Sequence, residues 1–125
     1  MSQELVELAR RGYEAVRNGD FDTVREFLDP DVTWHAGDPT AEFACHNRRQ
    51  ALEWMRAARQ RGPIGELVEL IDAGDKVVVF MRRTGEDGRP ELIANLTTFR
   101  DGKAIEMVHY PDPDDARAAA GVVAP

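Results

Sequence analysis

Three histidines and one cysteine are the groups of this chain best suited to proton transfer or attack near neutral pH, and His109 stands in the most informative place among them. It lies in the run Ala104-Ile105-Glu106-Met107-Val108-His109-Tyr110. Alternate residues of a strand share a face, so if Ile105 and Met107 look into the core, His109 does too. An imidazole is the one side chain whose unperturbed pKa lets it exchange protons around neutrality. His109 is therefore the leading acid–base candidate. The plain alternative is a packed ring bonded to a backbone carbonyl or to water.

The other reactive groups point to less. Cys45 and His46 are adjacent, but adjacent residues in extended backbone face opposite ways, and no zinc-ligand spacing accompanies them. A nucleophilic Cys45 would want a Cys-His-Asn pattern, which is missing. No glycine-rich phosphate loop occurs either. The expectation is a protein with no metal and no organic cofactor.

The elements that must position these residues are legible from periodicity. Leu5, Leu8, Ala9, Tyr13 and Val16 recur at helical spacing within residues 3–18, and Asn18-Gly19 stops that helix. Asp20 is a natural cap for a second, shorter helix with Phe21, Val24, Phe27 and Leu28 on one stripe, ended by Asp29-Pro30. Val32 to His35 reads as a strand and Phe43 to Cys45 as a very short one. A third helix follows over residues 48–61, capped by Asn47 and stopped by Gly62-Pro63. Four strands then alternate with the turn signals Gly74-Asp75, Asp87-Gly88 and Asp101-Gly102, and such short turns imply antiparallel neighbours. The tail DPDDARAAAG could form one last helical turn. Helices segregated from an antiparallel sheet define the α+β class, here as one domain over residues 1–125.

Charge narrows the partners. A net charge of −7 and a pI near 4.9 oppose nucleic-acid binding, which needs clustered Lys and Arg to neutralise phosphates. No apolar run reaches the roughly 18 residues of a membrane span, and the start lacks a signal-peptide pattern. With its single cysteine the chain reads as cytoplasmic.

With these residues in view, the chain resembles the SnoaL-like branch of the nuclear transport factor 2-like superfamily, whose fold ketosteroid isomerase and limonene epoxide hydrolase share. The resemblance rests on the opening helix with Tyr13, on NGDFDTVREFLDPDVTWHAGD (residues 18–38), on NRRQALEWM (47–55) and on FRDGKAIEMVHYPDP (99–113). It implies a cone: a strongly curved, mostly antiparallel sheet wrapped around three helices, with an internal pocket. It also implies a homodimer through the outer sheet face. Val77, Val79 and Met81 alternate with Val78, Phe80 and Arg82, so this strand is apolar on both faces and has something packed on each.

The resemblance places His109 where the epoxide hydrolase carries a catalytic Asp, in an Arg-Asp-Tyr-x-Asp motif that here reads Val108-His109-Tyr110-Pro111-Asp112. The companion Arg and Asp of that enzyme fall on Met81 and Arg83, and its water-holding Tyr and Asn on Trp34 and Ala36. Its mechanism is therefore not expected, nor is that of the isomerase. The resemblance turns Trp34 inward, as an apolar wall for a flat ligand or as plain core packing, and leaves His35 outward with a loop-ordering hydrogen bond. Tyr13, Met55 and Asn95 are further lining candidates, and Met55, Met81 and Met107 would make the wall adaptable. Asn95 shares a face with Ile93 and Thr97, opposite Leu92, Ala94, Leu96 and Thr98, and either face could be inside.

Two functions fit. One is a cofactor-independent isomerase, cyclase or hydrolase acting on a small hydrophobic, oxygenated molecule, with His109 moving the proton. The other is a non-catalytic ligand-binding or dimerisation module, since a fold by itself does not settle function.

Overall fold

A computed structural model describes residues 2–62, 65–85 and 87–121; the helix stop expected at Pro63 lies outside them. Helices α1 (Ser2–Asn18) and α2 (Phe21–Phe27) come first, then strand β1 (Leu28–His35) and helix α3 (Arg48–Arg61). Strands β2 (Glu66–Ala73), β3 (Lys76–Thr84), β4 (Pro90–Arg100) and β5 (Lys103–Tyr110) follow, and helix α4 (Pro113–Ala120) closes the described chain.

Local chemistry explains the boundaries. Gly19 adopts a φ of +77° after α1, a left-handed turn that glycine makes without strain. The Asp20 carboxylate accepts from the Thr23 N–H and starts α2. The Asn47 carbonyl accepts from the Gln50 N–H at 2.9 Å, and the Gln50 side chain in turn accepts from the His46 N–H at 2.8 Å. The first bond satisfies a donor that the helix start leaves open, and the second ties the preceding residue to the first turn.

The five strands form one open sheet in the order β1-β5-β4-β3-β2, antiparallel except that β1 runs parallel to β5. Two expectations need correction here. Strand β1 begins at Leu28 rather than Val32, so Asp29-Pro30 sits inside a strand instead of ending a helix. Pro30 is tolerated because β1 is an edge strand and its pairing is irregular between Leu28 and Thr33. Of Phe43 to Cys45, only Cys45 pairs, in an isolated bridge to Trp34.

The sheet wraps α1, α2 and α3 on its inner face, the cone-shaped α+β architecture. Val77, Val79, Met81, Ile93, Phe99 and Met107 belong to one core cluster with Ala9, Tyr13, Val24, Phe27, Leu52 and Met55 from the helices. A register shift between Thr98 and Phe99 changes one position: Ala104 is fully buried in that core, while Ile105 is only half-buried and outside it. On the outer face, Val78, Phe80, Ala94 and Leu96 pack with Ala116 of α4. The second apolar face of β3, which the sequence reading assigned to a partner subunit, is thus covered in part by the chain's own last helix. The Arg117 guanidinium lies 4.6 Å from the centre of the Phe80 ring. Among the described residues, no helix is long and apolar enough to cross a membrane.

Candidate functional site

A cavity of about 520 Å³ lies between the inner sheet face and helices α1 and α3. The ladder register orders the inner sheet face behind it in rows, because residues directly opposite in paired strands have side chains roughly 5 Å apart. One row is His109 on β5, Asn95 on β4 and Val79 on β3. The next is Trp34 on β1, Met107, Thr97 and Val77. Towards the mouth come Met81 opposite Ile93, and then Arg83 opposite Glu91. Tyr13 enters from α1 and Met55 from α3. All seven residues singled out from sequence, His109, Tyr13, Trp34, Met55, Met81, Asn95 and Met107, line this one cavity. Asn95, whose face was open, points inward.

Sequence reading missed two parts of the wall. Trp54 lines the cavity from α3 and packs on Trp34, with ring centres 4.3 Å apart and planes 30° from parallel. Its signal was present: Trp54, Ala58 and Arg61 recur at i, i+4 and i+7 and flank the Leu52-Met55 stripe. The other part is the ion pair at the mouth, Arg83 Nε to Glu91 Oε1 at 2.6 Å. Eight residues separate these two groups in sequence, and only the hairpin register brings them together.

His109 is half-buried, with its ring stacked near Trp34 at 6.3 Å and 24°. Burial holds its pKa below the usual histidine range; Arg83 lowers it further and Glu91 opposes. A neutral ring with a free lone pair can take a proton at pH 7. Among the described residues, no group hydrogen-bonds the imidazole.

Tyr13 is engaged differently. Its hydroxyl hydrogen-bonds Thr97 Oγ1 at 2.8 Å, and burial pushes its pKa up strongly against the lowering effect of that bond. It is a neutral wall and an anchor between α1 and β4, not a base. Asn95 is only 6% exposed, and its Oδ1 is enclosed with no hydrogen-bond partner among the described residues.

Outside the cavity, His35 Nδ1 accepts from the Gly37 N–H at 3.1 Å, which is the loop-ordering bond expected of it, and its Nε2 lies 3.4 Å from Glu106 Oε2. Cys45 is buried, and burial with Glu53 nearby raises its thiol pKa, which makes a thiolate nucleophile unfavourable. Among the described residues, no group of three or more His, Cys, Asp or Glu is placed to hold a metal ion.

The fold finds its counterparts among known proteins. The SnoaL-like domain model matches residues 9–107, and the chain belongs to that family. An NTF2-like protein of unknown function from Mesorhizobium loti superposes with a TM-score of 0.72 at 23% identity, over 87% of this chain and 91% of its own. A proposed polyketide cyclase from Sinorhizobium meliloti gives 0.70 at 23% identity, over 87% and 98%. TerC, co-crystallised with polyporic acid, gives 0.69 at 23%, over 94% and 98%. At these identities the likeness is one of fold. No curated protein matches the chain.

Proposed function

We propose that this chain is a small-molecule pocket protein that works as a cofactor-independent acid–base enzyme, of isomerase, cyclase or hydrolase type, on a small hydrophobic, oxygenated substrate. The observation that carries the proposal is the direct cross-strand pairing of His109 with Asn95 in a cavity walled by Trp34, Trp54, Met55 and Met107. His109, kept neutral by burial and by Arg83, accepts a proton from the substrate. Asn95, in the cavity wall directly opposite His109, donates an N–H from its side-chain nitrogen to the oxygen on which charge develops. The structural likeness to a proposed polyketide cyclase and to TerC, co-crystallised with polyporic acid, supports this reading.

One observation favours the second reading, a binding module without chemistry. No group among the described residues orients the His109 ring, whereas a general base is commonly held in place by a third group. Mass spectrometry of a copurifying small molecule, followed by a single-turnover assay on it, decides between the two. Product formed by the wild type and lost in His109→Ala supports the enzyme. Saturable binding without product supports the module, and unchanged turnover in His109→Ala removes the histidine from the mechanism. A cytoplasmic homodimer through the outer sheet face completes the proposal.

A further inference from the structure

The ladder register sets a length as well as a lining. The row of His109, Asn95 and Val79 and the row of Arg83 and Glu91 lie four residues apart along β3 and β4. At about 3.3 Å per residue, that is roughly 13 Å. Met81 and Ile93 face each other midway and both are buried. An apolar strip therefore joins a deep polar end to a charged mouth.

Neither end is saturated by the protein. At the deep end the Asn95 carbonyl is enclosed and unpaired, which is destabilising unless something else supplies the bond. At the mouth the charged lining residues are Arg61, Arg83 and Glu91, two cations to one anion, on a chain whose net charge is −7. Arg83 gives Glu91 its Nε–H, one of five donors on a guanidinium, and Arg61 makes no ion pair among the described residues.

We propose that the cavity selects a flat, two-ended acid. Its carboxylate is held at the mouth by Arg61 and Arg83, its apolar body lies along Met81 and Ile93, and a hydroxyl or carbonyl oxygen at its far end bonds Asn95 beside His109. This rests on the small-molecule reading above and names its substrate class. The Asn and Arg side chains reach in from both ends and shorten the gap, so two fused rings with polar groups at opposite ends match it. A hydroxyl suits the deep end well, because it can donate to an amide oxygen or accept from an amide nitrogen.

Calorimetric titration with 6-hydroxy-2-naphthoate, 2-naphthoate and 2-naphthol tests the proposal. The two-ended probe binds the wild type about tenfold more tightly than either single-ended one. Arg61→Gln removes the advantage of the carboxylate and leaves 2-naphthol unchanged. Asn95→Leu removes the advantage of the hydroxyl and leaves 2-naphthoate unchanged, with circular dichroism confirming its fold. Salt at about 0.5 M weakens only the carboxylate contribution at this solvent-open mouth. If 2-naphthol binds but the carboxylate adds no affinity, or if both variants weaken all three probes alike, acid selection is overturned while the pocket reading stands. If none of the three binds, the two-ended acid is overturned, and the pocket reading is decided by the copurified molecule.

Discussion

At the scale of the residue, His109 carries two consequences. Its folded pKa lies below the unfolded value of 6.5, so below about pH 6.5 the unfolded chain binds more protons than the folded one. Its contribution to stability is complete above that pH and is lost as pH falls towards the folded pKa. Urea unfolding at about pH 7.5 and about pH 5 checks the sign: wild type loses more stability between the two than His109→Gln does. As a general base, its removal in His109→Ala lowers kcat by about 10²- to 10⁴-fold, measured on the identified substrate. Tyr13→Phe tests a structural contact instead. It leaves the buried Thr97 hydroxyl without its partner and costs about 1–3 kcal/mol, read from denaturant midpoints. His109 was legible because a strand's period of two ties it to Met107 whatever surrounds them. The inward direction of Asn95 was not, because both faces of its strand are apolar enough to be buried.

At the scale of the element, the helices present the cavity wall and their caps set where it begins. Asn47→Ala removes the N-cap of α3, which carries Trp54 and Met55, and costs about 1 kcal/mol by chemical denaturation. Gly12 on α1 has a different constraint: a Cβ there would come within 2.5 Å of the Phe27 ring. Gly12→Ala therefore overpacks the α1–Phe27 contact and destabilises by about 1–3 kcal/mol, checked by the same measurement. The caps at Asp20 and Asn47 were readable because capping is local, between a side chain and a backbone three residues on. The start of β1 was not. Leu28 fits a helical stripe as well as a strand, and only its pairing with Ala104, distant in sequence, makes it β.

At the scale of the whole molecule, the two faces of the sheet divide the work between cavity and cover. Helix α4 shields Phe80, Ala94 and Leu96 on the outer face, yet Leu92 on that face stays 39% exposed. A homodimer there predicts that Leu92→Arg, which adds a charge opposite Arg82, shifts sedimentation from dimer to monomer while circular dichroism stays unchanged. A wild type that sediments as a monomer would count against that arrangement. The amino-acid order by itself determined the succession of the main helices and strands, the turns, the caps at Asp20 and Asn47 and the shared face of Met107 and His109, since these follow from contacts within a few residues. Only the tertiary structure decided which parity faces inward, and it alone set Trp34 beside Met107 through the parallel β1–β5 pairing and Arg83 against Glu91 at the mouth. Those depend on closing long loops and burying one apolar face rather than another, and no local pattern encodes that choice.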